Sequence, residues 1–187
     1  MRVIAGSAKG RQLVRVPPGV RPVSDKAREG LFSSLGDLVV EARVLDLYAG
    51  TGALGIEALS RGAEEAVFVD RSTSSVAAIR ADLDRTGFRD AGRVVRADAG
   101  RYLERAGTAP GFDLVFLDPP YGTLGDEVGA VLARLDAGSV LRNGATVALS
   151  RASRTSNDVI PVNWAVAKRL SYGDSVITLF RARNLEV

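Results

Sequence analysis

The feature that most constrains the fold is a regular alternation of short apolar segments with amphipathic segments between residues 43 and 149. The apolar segments predict strands at 44–48, 66–70, 93–97, 113–117 and 145–149. Between them, 53–60 and 72–86 predict helices, and a third helix is indicated by one apolar face: Val128, Val131, Leu132 and Leu135. Strands that alternate with helices form a parallel sheet with right-handed crossovers. We therefore expect a doubly wound α/β, Rossmann-like domain.

Segments at both ends of the chain extend this core. Ser24 can cap a helix that runs to about residue 38, with one apolar face: Leu31, Leu35 and Leu38. Near the end, 164–170 and 175–180 flank Tyr172-Gly173-Asp174 and predict an antiparallel hairpin. Residues 1–23 contain strand-like pieces at 2–4 and 12–16, broken by Gly and Pro. We expect a domain of residues 24–187 that is preceded by a short basic extension, 1–23.

The basic residues are unevenly distributed along the chain. Residues 1–24 have no acidic residue and contain five basic ones: Arg2, Lys9, Arg11, Arg15 and Arg21. The rest of the chain has 20 basic and 22 acidic residues, which leaves it slightly negative. A positive segment of this kind suits contact with phosphate, although a solvated basic tail would have the same composition.

Composition also limits the chemistry and the location of the protein. The chain has no Cys and no His, so thiolate and imidazole catalysis or metal ligation are excluded, and we expect no metal. No apolar run approaches the roughly 20 residues of a membrane span, and the first residues lack the apolar stretch of a signal peptide. We expect a cytoplasmic protein, and a monomer.

A glycine-rich loop follows the first predicted strand. Gly50, Gly52 and Gly55 form G-x-G-x-x-G, whose tight turn lets the main chain approach a ligand closely. Asp70, at the end of the second predicted strand, can accept hydrogen bonds from ribose hydroxyls. The pattern suits a nicotinamide cofactor or S-adenosylmethionine, and the carboxylate of Asp46 favours the latter, which carries an ammonium and a sulfonium group.

Asp98, just past the third predicted strand, has two possible roles. It can accept a hydrogen bond from an adenine amino group, or it can cap a helix that starts near residue 100. The sequence does not distinguish the two.

The fourth predicted strand ends in Asp118-Pro119-Pro120-Tyr121, at the edge of the sheet where ligands of such folds bind. The side chain of Asp118 and the carbonyl of Pro119 can each accept an N–H of an exocyclic amine, which frees its lone pair for methylation. The prolines stiffen the loop, and Tyr121 offers a ring on which an extruded base can stack. We therefore predict methylation of a nucleic-acid base.

With these motifs in view, the chain resembles the RsmD family of bacterial small-subunit ribosomal RNA guanine-N2 methyltransferases. The most specific similarity lies in 2–13 (RVIAGSAKGRQL), 21–32 (RPVSDKAREGLF) and 46–62 (DLYAGTGALGIEALSRG). Residues 70–71, 118–121 and 172–174 also match, so the resemblance covers almost the whole chain. It implies a class I methyltransferase fold and transfer of a methyl group from S-adenosylmethionine to N2 of one 16S rRNA guanine, number 966, in the small ribosomal subunit or its assembly intermediate.

The motifs and the resemblance together give three sets of expected site residues. The catalytic residues are Asp118, Pro119, Pro120 and Tyr121. The residues expected to bind the cofactor are Ser24, Asp46, Tyr48, Ala49, Gly50, Thr51, Gly52, Asp70, Arg71, Asp98, Ala99 and Asp118. The residues expected to contact RNA are Lys9, Arg11, Arg15, Arg21, Lys26, Arg28 and Tyr121. Val23 and Ser24 stand where the family often has Thr, and the Asp that opens DPPY is Asn in many amino-methyltransferases.

The sequence leaves three alternative functions to consider. A DNA adenine-N6 methyltransferase would use the same chemistry, but such enzymes usually carry an added target-recognition domain. A nicotinamide-dependent oxidoreductase would leave the DPPY tetrapeptide without a role. An inactive RNA-binding module would have no need of the cofactor loop and the tetrapeptide together.

Overall fold

The computed structural model describes residues 1–14, 23–106, 111–120, 122–123, 125–137, 139–153 and 160–182. Five helices and seven strands occur in this part of the chain. The helices are α1 (Asp25–Leu35), α2 (Ala53–Ser60), α3 (Thr73–Thr86), α4 (Ala99–Arg105) and α5 (Gly125–Ala137). The strands are β1 (Arg43–Leu47), β2 (Glu65–Asp70), β3 (Gly92–Arg96), β4 (Phe112–Leu117), β5 (Leu141–Ala152), β6 (Ala165–Tyr172) and β7 (Ser175–Arg181).

All seven strands form one sheet in the order β3-β2-β1-β4-β5-β7-β6. Strands β1 to β5 pair in parallel, whereas β7 pairs antiparallel with both β5 and β6. The predicted doubly wound sheet with an antiparallel C-terminal hairpin is thus confirmed. The order changes direction between β1 and β4, which creates the crevice where α/β folds bind their ligands.

Two apolar layers cover the two faces of the sheet. One layer contains Phe32 of α1, Ile56 of α2 and Ile79 of α3. The other contains Leu103 of α4 and Leu132 of α5. The central strands are buried on both sides, which explains why their sequences are almost uniformly apolar.

The first helix is shorter than its apolar spacing predicts. It ends at Leu35, because Gly36 adopts a φ of 52° and its N–H bonds the carbonyl of Phe32. A short 3-10 helix, Gly36–Val39, follows. Leu38 therefore lies outside α1 and is 46% exposed, so its assignment to the apolar face of the helix was wrong.

The described part of the predicted N-terminal extension packs against the domain. Residues 2 and 12 form an isolated antiparallel bridge rather than the two predicted strand pieces, and Val3, Ala8 and Leu13 are buried in the core. The boundary between 23 and 24 stays a prediction.

The carboxylate of Glu57 in α2 holds this segment by accepting the N–H groups of Ile4 and Ala5 at 2.8 and 3.0 Å. In α3, Asp82 accepts the N–H of Val14 at 2.8 Å. Both carboxylates are buried, so the segment and the helices satisfy each other's polar groups.

No helix in the described ranges is long and apolar enough to cross a membrane.

Candidate active site

A cavity of about 450 Å³ opens at the carboxyl ends of β1, β2 and β4. It brings together twelve of the residues predicted from the sequence: Asp46, Tyr48, Ala49, Gly50, Thr51, Asp70, Arg71, Asp98, Ala99, Asp118, Pro119 and Pro120. Their convergence follows from the parallel sheet, because loops after neighbouring strands meet at one edge.

The glycine-rich loop is shaped by hydrogen bonds to two aspartates. Gly50 has a φ of 56° and donates its N–H to Oδ2 of Asp70 at 2.8 Å. The N–H of Gly55 is donated to Oδ2 of Asp46 at 3.0 Å. At Gly55, a Cβ atom would lie 2.3 Å from Cε1 of Phe68, so glycine is needed where α2 packs on β2. The two carboxylates thereby fix the loop that lines the cavity.

Ser24 and Gly52 are not among the residues that line the cavity. Ser24 caps α1, where its hydroxyl accepts the N–H of Ala27 at 3.2 Å, and its neighbour Val23 lines the cavity instead. Gly52 precedes α2 with a φ of 72°, and a Cβ atom there would lie 2.9 Å from Cγ1 of Ile79, inside the core. Glycine at 52 is thus explained by core packing.

Tyr48 combines an unusual backbone with a cavity position. Its φ of 58° lies in the left-handed region, which bulky residues seldom adopt. Burial, reinforced by Glu127 and Asp98, raises the pKa of Tyr48 to about 12. The phenol is therefore neutral at physiological pH and can serve as a hydrogen-bond donor. Strained residues of this kind cluster at ligand sites.

Four carboxylates, those of Asp46, Asp70, Asp98 and Asp118, line the cavity and give it a negative interior. Asp46 is 1% exposed, and burial raises its pKa well above the ordinary value. The N–H of Gly55 opposes that shift, while the neighbouring charges of Asp118 and Asp70 add to it. A cation in the cavity would relieve this repulsion, whereas an anion such as a pyrophosphate would increase it.

Asp98 acts as the cap of α4. Its Oδ1 atom accepts the N–H groups of Gly100 and Arg101 at 3.0 and 3.3 Å, and neither bond uses Oδ2. The cap is one of the two roles that the sequence left open. Because Asp98 also lines the cavity, a contact with adenine through Oδ2 stays a prediction.

Asp118, Pro119 and Pro120 form the side of the cavity that follows β4. The chain turns immediately afterwards, as the N–H of Thr123 donates to the carbonyl of Pro120 at 2.9 Å. Tyr121 lies outside the described residues, so its stacking role stays a prediction.

The residues expected to contact RNA fall into three groups. Lys9, Arg11 and Lys26 are exposed. Arg15 and Arg21 lie outside the described residues. Arg28 is buried, with NH2 donating to the carbonyl of Arg2 and to Asp25, both at 2.7 Å, and NH1 lying 3.7 Å from Glu57. A phosphate cannot reach this guanidinium, so we remove Arg28 from the expected RNA contacts.

Several residues that line the cavity were missed by the sequence analysis: Val23, Ala53, Leu54, Val69, Ser72, Ser75 and Ala97. Most are small or apolar residues without a chemical signature. Ser75 is the most informative, because it is 1% exposed and its hydroxyl has no hydrogen-bond partner within the described structure. A ligand hydroxyl or amine would satisfy it. The available signal was its position in the first turn of α3, the helix that follows Asp70.

A sheet of this order, with a negatively charged cavity beside its glycine-rich loop and an Asp-Pro-Pro corner after β4, defines a class I methyltransferase. A family model described as "Conserved hypothetical protein 95" matches residues 1–181. The chain belongs to this family, the RsmD family of methyltransferases.

Named relatives support the same grouping. The chain is 32% identical over 184 residues to ribosomal RNA small subunit methyltransferase D of Escherichia coli (strain K12), covering 97% of this chain and 89% of that protein. It is 34% identical over 186 residues to a Bacillus subtilis (strain 168) protein provisionally named rRNA methyltransferase YlbH, covering 98% and 100%.

Solved structures show the same fold. The Escherichia coli protein yhhF, provisionally named a methyltransferase, superposes with a TM-score of 0.87 at 29% identity and covers 99% of each chain. A Thermus thermophilus protein, TTHA0928, gives a TM-score of 0.81 at 28% identity and covers 98% of this chain and 99% of that one.

Proposed function

We propose that the protein transfers a methyl group from S-adenosylmethionine to the exocyclic N2 of a guanine in 16S rRNA, at position 966. The observation that carries the proposal is the meeting of the Asp-Pro-Pro corner with a cluster of carboxylates around the buried Asp46 in one cavity. The small-subunit rRNA methyltransferase of Escherichia coli, to which the chain is similar along almost its whole length, supports the choice of RNA. A ribosomal substrate places the reaction in the cytoplasm, and in this proposal the protein acts as a monomer.

The cavity suits this cofactor better than a nicotinamide dinucleotide. S-adenosylmethionine brings an ammonium and a sulfonium group, and Asp46, Asp70 and Asp118 create the negative potential that attracts them. A dinucleotide would bring a pyrophosphate into the same field. In the proposed arrangement, Asp70 and Ser75 face the ribose, and Asp98 faces the adenine. The hydroxyl of Ser75, which has no hydrogen-bond partner within the described structure, would bond a ribose hydroxyl.

When bound, the cofactor supplies an electrophilic methyl group, and the protein must prepare the amine that attacks it. The lone pair of guanine N2 is delocalised into the ring, so the amine is a poor nucleophile. The carboxylate of Asp118 and the carbonyl of Pro119 accept its two N–H groups, which favours a pyramidal nitrogen. The N–C bond forms as the bond between the methyl group and the sulfonium sulfur breaks, and the same acceptors stabilise the positive charge on nitrogen until one proton leaves to water.

RNA reaches the cavity across a basic surface in this proposal. Exposed Lys9, Arg11 and Lys26 contact phosphates, as do Arg15 and Arg21 in the same part of the sequence. Tyr121 stacks on the extruded guanine. The substrate is the small ribosomal subunit or its assembly intermediate.

The proposal is tested by incubating the purified protein with methyl-labelled S-adenosylmethionine and one of three acceptors: duplex DNA, naked 16S rRNA or small ribosomal subunits that lack the modification. We expect label in the ribosomal samples and none in DNA. Label in DNA alone would support the adenine-N6 alternative. If no acceptor is labelled while S-adenosylhomocysteine binds, the assignment of nucleic acid as substrate fails.

A further inference from the structure

A second groove, of about 670 Å³, runs along the edge strand β3 and the helix α4. Its wall is dominated by six side chains: Arg71, Arg93, Arg96, Arg101, Tyr102 and Arg105. The arginines come from three different elements, namely the end of β2, the strand β3 and the helix α4. Such a convergence is a property of the fold rather than of one basic stretch.

The groove carries uncompensated positive charge. Arg96 donates to the hydroxyl of Thr73 at 3.2 Å. Within the described ranges, the other four arginines of the groove form no ion pair with a carboxylate: Arg71, Arg93, Arg101 and Arg105. Among the described residues that line the groove, Asp98 is the only acidic one, and its Oδ1 is engaged as a helix cap. Residues 71–106 contain eight arginines and five acidic residues, a net charge of +3.

This groove is continuous with the cofactor cavity. Arg71, Ala97 and Asp98 line both of them. In the proposed arrangement, they lie at the adenosine end of the cofactor. A chain that follows the groove therefore arrives beside the bound cofactor.

We propose that the groove formed by β3 and α4 binds the phosphate backbone of the rRNA substrate on the adenosine side of the cofactor cavity. This inference rests on the proposed function and adds a second contact surface to it, separate from the N-terminal segment. Arginines spread over three elements match an extended polyanion better than a single phosphate, since each guanidinium can engage a different phosphate. Tyr102 is half-buried and offers its ring to an unstacked base.

Protection of a sheet edge does not explain the whole groove. Charged residues on an edge strand keep it from pairing with another chain, and this would account for Arg93 and Arg96 on β3. Arg101 and Arg105 lie on α4, away from the hydrogen-bonding edge of the strand. They are exposed and follow each other by one helical turn along the groove.

The test compares two double variants that each remove two exposed positive charges. The groove variant is Arg93→Gln with Arg101→Gln. Its matched control is Lys168→Gln with Arg169→Gln on β6, the strand at the opposite edge of the sheet. Affinity for a 16S rRNA fragment is measured over a series of salt concentrations, alongside affinity for S-adenosylhomocysteine and the kcat and KM of methylation.

We expect the groove variant to bind RNA about tenfold more weakly at physiological salt, with a salt slope smaller by about 1.4, because each phosphate contact to single-stranded RNA contributes about 0.7. Its KM for RNA rises while kcat and cofactor affinity stay unchanged, and the control variant matches the wild type. Unchanged thermal melting confirms that both variants fold.

Two results overturn the inference alone: wild-type RNA affinity in the groove variant, or an equal loss in the control. A loss of cofactor affinity in the groove variant would instead assign the groove to the cofactor. If the wild-type protein neither binds nor methylates small-subunit rRNA, the proposed function fails and the inference fails with it.

Discussion

Asp46 is a buried carboxylate held between a backbone N–H and two further carboxylates. Burial and the neighbouring charges raise its pKa, so at pH values between the ordinary and the raised pKa the folded protein without cofactor binds a proton that the unfolded chain releases. The stability contributed by that proton is present below the ordinary pKa of 3.8 and is lost as pH rises through the raised value. A cation bound beside Asp46 would favour the ionised carboxylate and would therefore oppose the rise of its pKa.

We predict that Asp46→Asn stabilises the protein without cofactor at neutral pH and weakens S-adenosylmethionine binding by about tenfold or more. The amide oxygen can still accept the N–H of Gly55, but the cost of a buried charge and the attraction for the cation are both removed. Unfolding curves across a pH series and calorimetric titration measure the two effects. A variant that is less stable than wild type at neutral pH, with unchanged affinity, would contradict this role.

Asp118 is expected to act on the transition state more than on cofactor binding. We predict that Asp118→Ala lowers single-turnover methylation by about 10²–10³, the usual effect of losing one preorganised partner of developing charge. Cofactor affinity should stay within about tenfold of wild type. Rapid-quench measurements with saturating cofactor and RNA provide the rate, and near-normal turnover would remove Asp118 from the mechanism.

Gly52 shows how a motif recognised from sequence can have a packing reason that the sequence alone does not reveal. The loop motif suggests that a side chain at 52 would meet the ligand. The structure instead directs a Cβ atom toward Ile79 and Phe68, at 2.9 and 3.3 Å. Spacing along the chain identifies the loop, but the direction of each Cα–Cβ bond depends on backbone angles that spacing does not specify.

We predict that Gly52→Val lowers the free energy of unfolding by about 2–5 kcal/mol, the sum of a left-handed backbone penalty and core overpacking. Gly87→Val is the matched control, since Gly87 has a φ of 83° with open space around a Cβ atom. Urea unfolding should show a clearly smaller loss in the control. Equal stability of the two variants, with cofactor binding lost only at 52, would favour the ligand-based explanation.

At the scale of elements, the N-terminal segment belongs to the folded core as well as to the basic surface. A Cβ atom on Gly6 would lie 1.7 Å from the carbonyl oxygen of Ser60, which shows how closely the segment approaches α2. Its composition predicted the charge. Its attachment depends on contacts between residues more than 50 positions apart, such as Ile4 with Glu57, and no local pattern encodes these. Deleting the segment would expose core residues, so it would not test RNA binding cleanly.

A charge-only change separates the two roles of the segment. We predict that Lys9→Ala with Arg11→Ala lowers the salt slope of RNA binding by about 1.4 and preserves thermal stability, because both side chains are exposed. Lys168→Ala with Arg169→Ala is the control. RNA affinity measured by filter binding should fall only in the first variant. If the two variants bind alike, the segment does not contact RNA.

At the scale of the whole molecule, the sheet was predictable because alternation, glycine turns and strand-end aspartates are local signals that agree with one another. The groove formed by β3 and α4 was not predictable, since its arginines lie on three elements between residues 71 and 105 that only the fold brings together. Helix α1 and strand β5 also differ from their predicted lengths. The helix ends at a glycine with positive φ, and the strand is prolonged beyond Leu149 by pairing with β7.

We propose that this cavity is the site at which N2 of a single guanine in 16S rRNA is methylated. The most direct test of this proposal is mass spectrometry of rRNA digested after reaction with unmodified small subunits, with the modified nucleotide mapped by oligonucleotide fragments. We expect one N2-methylguanosine per 16S molecule, at position 966, and none with Asp118→Ala. Methyl groups on adenine N6 or on a ring nitrogen of guanine, or N2-methylguanosine at another position, would contradict it.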